Sequence, residues 1–593
     1  MNCPSRTDNS LDNPGWNQNP PLLTADLTTR QDLNGIANSR ERRGKQFGPN
    51  GSELNPVEDE LSGNLVQNAG GLKYVSGGVA RPTVGERHVG LGEEDLNNGS
   101  VLSPLLQNQQ RNSCDLGARH PWNRKPRDFV SRVVFVLRKF GHFIGPGFLI
   151  AVSYIDPGNY ATDVAAGADT KYALLFTILM SNVFAVFLQS LCIKLGSVTG
   201  LNLAEMCKAH FPKWLTITLY IFSESAIIAT DIAEVVGSAI SLNLLFNIPL
   251  VAGCAVTLVD VMIILVFYKP HGTMKALRAF EFFVMALVLG VVVCFCIELS
   301  MIKETSVGEI LKGYLPSPAV VKDNGLYLSC GILGATVMPH SIFLGSGVVQ
   351  SRLKHFDINS GYIDPSVKYG TTEGEIKYRP SVSAIRGCLK YSIIELALAL
   401  FTFALFVNSA ILIVAGASLS GSNASEADLF GIYNLLSTTI SPAAGTVFAI
   451  ALLLSGISAG IVCTIAGQMV SEGMLNWTVA PWLRRLITRS ISIIPSVIIA
   501  AVVGKEGLNA TLTASQVVLS VILPFVTAPL IYFTSRAQFM TVYTGTDSDG
   551  ENTDNQGISM ENHWLVTVSG VLIWIIITIL NIALLVLVAM GKA

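Results

Sequence analysis

From about residue 141 to residue 590 the chain is a succession of apolar runs, each about 20 residues long and closed by a short polar stretch. Such a run matches the thickness of a bilayer's hydrocarbon core, where a helix satisfies its own backbone polar groups. The runs predict spans over 141–165, 173–197, 214–241, 249–268, 276–301, 326–350, 388–417, 444–474, 486–504, 510–534 and 564–590. About eleven transmembrane helices follow. Composition agrees: of 593 residues, 50% are apolar and only 14% charged, too few charges for an ordinary soluble protein. The expected fold class is an all-α polytopic membrane protein.

Residues 1–124 are different in kind, rich in Asn, Gly, Asp, Glu and Arg and poor in aromatics. That composition does not bury enough surface to offset chain entropy, so a disordered cytoplasmic tail is expected, with residues 125–593 forming the membrane domain. The basic cluster Arg40-Glu41-Arg42-Arg43-Gly44-Lys45 reads as a solvated charge run. The partners expected of the tail are trafficking or ubiquitin-ligase adaptors. Those of the spans are membrane lipids, and no nucleic acid is expected. Met1 to Pro20 is polar, so no cleavable secretory signal is expected and the first helix directs insertion. The ten Cys residues have neither zinc-type spacing nor disulfide density and read as small buried apolar groups.

Loop charge sets the orientation. Lys269, Lys275 and Arg278 follow span four; Arg352, Lys354, Lys368, Lys377, Arg379 and Arg386 follow span six; Arg484, Arg485 and Arg489 follow span eight. These loops lie on one side, which the positive-inside rule makes cytoplasmic together with the amino terminus. The carboxyl terminus then lies outside, as does the sequon Asn423-Ala424-Ser425, a candidate glycosylation site.

Spans one to five and six to ten form two groups of equal size and opposite orientation, about 141–301 and about 326–534, with the helix at about 564–590 added. The order is that of an inverted five-helix repeat. Asp156-Pro157-Gly158-Asn159 interrupts the first helix of one group, and Met338-Pro339-His340 the first helix of the other. Matched interruptions point to a transport site, because unwound helices expose carbonyls and dipole ends near the midplane. Pro157 and Pro339 supply no amide hydrogen, and Gly158 accepts either handedness, so the backbone leaves helical geometry at both places. Asp156 offers a hard anionic oxygen, Asn159 an amide oxygen and Met338 a soft thioether. The freed carbonyls of Ser153 and Ala335 add further oxygens. Mixed oxygen and sulfur donors suit Mn²⁺ and Fe²⁺, whereas Ca²⁺ and Mg²⁺ prefer oxygen alone. Met338 is therefore the expected selectivity element.

The run Gly145 to Asn159 (GPGFLIAVSYIDPGN), the run Gly334 to His340 (GATVMPH) and Thr230 to Glu234 (TDIAE) together resemble the Nramp (natural resistance-associated macrophage protein) family of proton-coupled divalent metal transporters. The long tail and Ser471-Glu472-Gly473 are similar to its fungal members, the Smf manganese and iron transporters. The resemblance covers roughly residues 135–590 and implies a leucine-transporter-like fold with helices one and six broken. It implies metal ligands at Asp156, Asn159, Met338 and the Ala335 carbonyl. The first-helix carbonyl falls on Ser153, where the family often has Ala, and Gln516 matches a Gln that the family brings to the metal in some states. One motif departs: the family's Gly-Gln-Ser in span eight reads Gly456-Ile457-Ser458 here.

Proton coupling needs titratable groups inside the membrane. Glu224, Asp231 and Glu234 in span three fall on one helix face, and His340 follows the second break directly. The expected proton pathway is Asp156, His340, Asp231 and Glu234; Glu224 reads as structural. Arg489 reads as an anchor at the cytoplasmic interface, with completion of a carboxylate network as its alternative. Asp260, Glu281 and Glu395 read as structural.

The expectation is H⁺-coupled symport of Mn²⁺, Fe²⁺ and related ions such as Co²⁺, Cd²⁺ or Zn²⁺ into the cytosol by alternating access. Metal and protons are cargo, and neither a resident cofactor nor enzymatic activity is expected. Two alternatives share the sequence: an amino acid transporter of the same fold, which Asp156 and Met338 disfavour, and a metal-sensing signalling protein without flux. The plasma membrane and an endosomal or vacuolar membrane of a fungal cell are both consistent with this polarity.

Overall fold

The computed structural model describes residues 146–267, 274–302, 306–322, 324–363, 378–419, 428–475, 481–542 and 557–590. The expected tail and the sequon at Asn423 lie outside the described residues. In chain order the helices are α1 (Pro146–Val152), α2 (Pro157–Thr170), α3 (Leu175–Thr199), α4 (Leu203–His210), α5 (Lys213–Phe246), α6 (Leu250–Phe267) and α7 (Met274–Met301). Then come α8 (Val307–Gly313), α9 (Gly325–Thr336), α10 (Pro339–Asn359), α11 (Val382–Ala399), α12 (Leu405–Ser418) and α13 (Leu429–Leu435). The last are α14 (Pro442–Leu475), α15 (Pro481–Val502), α16 (Gly504–Thr534), α17 (Ala537–Met540) and α18 (Trp564–Ala589). One two-stranded antiparallel ladder pairs Thr541–Val542 with Ile558–Ser559.

Among the described residues, eight helical stretches are long and apolar enough to cross a membrane: α3, α5, Ala279–Met301 of α7, α9 with α10, α11 through α12, α14, Gly507–Thr534 of α16, and α18. The other three expected spans are also helical. They are the broken pair α1 and α2, the 18-residue α6, and α15, whose apolar part Leu486–Val502 is shorter. The protein is an integral membrane protein, and its helices follow the five-plus-five order with one added. Several overrun the apolar runs that announced them, as α5 does by continuing to Phe246, where Asn247 takes a left-handed C-cap (φ 55°).

Burial separates central from peripheral helices. In their most apolar stretches, 94% of residues are buried across α9 and α10, against 22% in α18. The faces of α18 carrying Leu572, Ile579 and Ile582 are exposed, as lipid-facing surfaces are. The seventh span was expected as one regular helix but contains a π-helical turn, Leu400–Ala404, between α11 and α12. The widened turn is met by a side chain, since Asn182 Nδ2 of α3 donates to Leu400 O at 3.1 Å.

Candidate metal centre

Both breaks are made by proline in the same way. In a continuous helix the carbonyl of Ser153 would accept from the N–H of residue 157, and that of Ala335 from residue 339; both positions are proline. α1 ends at Val152 and the next amides fall back on three-residue turns, Ser153 N to Ile150 O, Tyr154 N to Ala151 O and Ile155 N to Val152 O, each 3.1 Å. The carbonyls released here are taken up selectively. Asn408 Nδ2 of α12 donates to Tyr154 O (3.1 Å), and Ser455 Oγ of α14 donates to Ile155 O (2.8 Å). Among the described residues, no turn or side-chain donor reaches Ser153 O. In the second break Met338 is extended (φ −70°, ψ 129°) and Met338 O accepts from Ser341 N (3.2 Å) and Ser341 Oγ (2.8 Å).

Asp156 is the N-cap of α2, wholly buried, with Gly158 N donating to Oδ2 (3.2 Å) and Asn159 N to Oδ1 (3.0 Å). Asn159 then joins the two breaks. Its Nδ2 donates to Asp156 Oδ1 at 2.5 Å and to Ala335 O at 2.9 Å. The sequence had assigned the amide oxygen to this position. The structure turns the nitrogen inward instead, where it donates to two acceptors that face one another. Asn159 Oδ1 receives Asn408 Nδ2 at 3.4 Å.

Gln516 of α16 lies over the first break. A Cβ built on Gly158 would collide with Gln516 Nε2 and stand 2.9 Å from Asp156 Oδ2, so the amide is at the carboxylate's side. Gln516 Oε1 has no partner, while Nε2 donates to Ser515 Oγ at 3.0 Å. Met338 is wholly buried between α9 and α10. Asp156, Asn159, Gln516 and the Ala335 carbonyl are thus brought together, with Ser153 and Met338 in the breaks beside them.

The breaks need room. A Cβ at Gly237 of α5 would strike the Pro157 ring, and one at Gly456 of α14 would strike Ser238 Oγ and reach within 3.5 Å of Pro157 Cγ. Ile457, which departs from the family pattern, is only half-buried and packs against the core. The polar contact from this stretch to the first break comes from Ser455.

His340 is buried, and its Nδ1 lies 3.3 Å from Thr230 Oγ1, one residue before Asp231. Arg489 of α15 pairs with Asp231 Oδ1, and its NH1 lies 3.3 Å from Glu234 Oε2. With its side chain 2% exposed, Arg489 is not an interface anchor. It completes a buried carboxylate network, because two carboxylates on one face of α5 cannot be sunk in a bilayer without a counter-charge. Glu224 is half-buried and outside that network. Glu395, read as structural, accepts from Arg352 NH1 at Oε2 (2.8 Å) and from Gly147 N at Oε1 (3.1 Å), which fastens α1 to α11.

The sequence reading missed Gln189, whose Nε2 donates to Tyr154 OH (3.0 Å) and Ser341 Oγ (2.9 Å), linking the two breaks through α3. It also missed Asn408, Ser455 and Asp163. An amide or carboxylate alone in an apolar run was the available signal, and Asp163 recurs seven residues after Asp156.

A family model described as natural resistance-associated macrophage protein-like matches residues 147–548. The manganese transporter pdt1 of Schizosaccharomyces pombe is 48% identical over 494 residues, covering 82% of this chain and 93% of that protein. The iron transporter SMF3 of Saccharomyces cerevisiae is 50% identical over 464 residues, covering 75% and 96%. Among solved structures, the manganese transporter of Eremococcus coleocola matches with a TM-score of 0.62 at 33% identity, covering 75% of this chain and 86% of that one. The chain belongs to the natural resistance-associated macrophage protein-like (Nramp) family of membrane transporters.

Proposed function

We propose that the protein carries Mn²⁺ and Fe²⁺ into the cytosol by proton-coupled symport, its site alternately open to the two sides of the membrane. The observation that carries this reading is the meeting of two proline-orphaned carbonyl segments around Asp156. Asp156, Asn159, Gln516, the Met338 thioether and the carbonyls of Ser153 and Ala335 hold the dication, with Asn159 exchanging the ends of its amide as the cation arrives. The relatives named manganese and iron transporters support the choice of metal. Oxygen donors alone would accept Ca²⁺ and Mg²⁺ as readily, so the sulfur supplies the preference. Arrival of a dication favours the ionised form of Asp156, and its proton leaves by way of His340, Asp231 and Glu234, with Arg489 holding the last two. The amino terminus faces the cytoplasm, and import at the plasma membrane or release from an acidic vacuole is the same vectorial act.

Purified protein in proteoliposomes is expected to accumulate Mn²⁺ and acidify the lumen under an inward proton gradient. Asp156→Ala abolishes both. Full uptake by that variant, or accumulation indifferent to the proton gradient, overturns the reading.

A further inference from the structure

α2 carries a second carboxylate that the mechanism does not use. Asp163 is 0% exposed, and neither of its oxygens has a hydrogen-bond partner in the structure. A carboxylate buried in a bilayer is costly unless something answers its charge, and such groups mark ion pathways by default. Helix geometry gives its place. Asp163 follows Asp156 by seven residues, so it sits on the same face about 10 Å further along the axis. Asn159, Asp163 and Gly167 form one stripe at steps of four, and both ends of the stripe touch α12. Asn408 Nδ2 reaches Asn159 Oδ1, and a Cβ on Gly167 would stand 2.9 Å from Ala415 Cβ and from Gly416 N. Asp163 therefore occupies the seam between α2 and α12, one turn beyond Asn159 on the side away from α1. Asn408 Oδ1, at the near end of that seam, is also buried without a partner. Asp163 and Asn408 Oδ1 are thus unpartnered acceptors along one seam, and a cation is the group that would answer the carboxylate's charge.

We propose that Asp163 is a second dication site, a staging position that an incoming Mn²⁺ occupies before it reaches Asp156. This rests on the metal-transport reading above and adds a site to it. The seam offers oxygen and no sulfur, so it takes Mg²⁺ and Ca²⁺ as well as Mn²⁺, and selection is left to the centre that includes Met338.

The test is a Mn²⁺ titration of the purified full-length protein, following the spin-resonance signal of free Mn²⁺, together with uptake in proteoliposomes. Wild type is expected to bind two Mn²⁺ per chain, the second about tenfold or more weaker. Asp163→Asn keeps the tight ion and loses the weak one; Asp156→Ala does the reverse. In uptake, Asp163→Asn raises the KM for Mn²⁺ about threefold to tenfold at unchanged kcat. Millimolar Mg²⁺ raises the wild-type KM and leaves that of the variant alone. Asp163→Thr gives the same readout should the amide variant not fold, and Asp163→Glu is expected to keep both ions. A single Mn²⁺ per wild-type chain, or two in Asp163→Asn, overturns the proposal. Retention of the tight ion by Asp156→Ala would instead refute the central site while leaving Asp163 standing.

Discussion

Replacing Arg489 by Leu tests a place in the buried interior where three charged side chains meet. Its guanidinium is paired with Asp231 and lies 3.3 Å from Glu234 Oε2, with all three side chains nearly sealed from solvent. At that separation and an effective dielectric of about 20, one such pair is worth about 5 kcal/mol of Coulomb attraction. Desolvation of the three groups offsets most of it, so the network as a whole adds little net stability. Deleting the cation alone is a different quantity, because it strands two carboxylates. The expected loss is about 3–5 kcal/mol, limited by the carboxylates taking up protons. The assay is heat resistance of the detergent-solubilised protein, followed by size exclusion, for Arg489→Leu, Glu234→Gln and the double variant. Arg489→Leu should be strongly destabilised, and the double variant should recover at least about 1 kcal/mol relative to additivity. Arg489→Lys should fall between, since an ammonium lacks the planar fork that serves two partners. Wild-type stability in Arg489→Leu, or a strictly additive cycle, would show that the guanidinium does not hold these carboxylates.

Met338→Leu keeps the volume of the side chain and removes its sulfur; it should retain Mn²⁺ uptake while admitting Ca²⁺ or Mg²⁺ as competitors, and an unchanged competition profile would take the thioether out of the selectivity argument. Asp231→Asn should bind Mn²⁺ normally but flatten the dependence of uptake on external pH, measured as initial rates across a pH series; an unaltered profile would count against its place in the proton route. Gly237→Val drives a branched side chain into the Pro157 ring, an overpacking that costs about 1–3 kcal/mol and should abolish uptake before it abolishes expression. Gly467→Ala, whose added carbon would meet Ile227 at an ordinary 3.4 Å, serves as its neutral control in the same uptake assay.

The spans were legible because hydrocarbon thickness and backbone satisfaction leave little choice to a run such as that of α18. The breaks were legible because proline removes a particular hydrogen bond, and counting four residues back from Pro157 and Pro339 leads to Ser153 and Ala335. The short helices α4, α8 and α13 were not foreseen, being too brief for a periodic signal, nor was the π turn at Leu400, whose stabilising partner Asn182 lies on another helix. The pairing of Arg489 was misjudged for a related reason. A basic residue near the end of a span usually snorkels to the interface, and only the packing of α15 against α5 tells this one apart. Asn408 and Ser455 donate to carbonyls more than 200 residues away in the chain, a relation that spacing alone does not encode.

The inward-turned amide of Asn159 bears on the half of a transport cycle in which nothing is carried. A carrier that has delivered its load must close around an empty cavity and swing back, and bare oxygens facing each other would resist enclosure. Here one amide nitrogen spans Asp156 Oδ1 and Ala335 O, so in the proposed cycle the two breaks can close on one another with both acceptors occupied. On the proposed function, the side chain that would bind the load is also its placeholder, and the ease of the return stroke would depend on how readily that amide turns over.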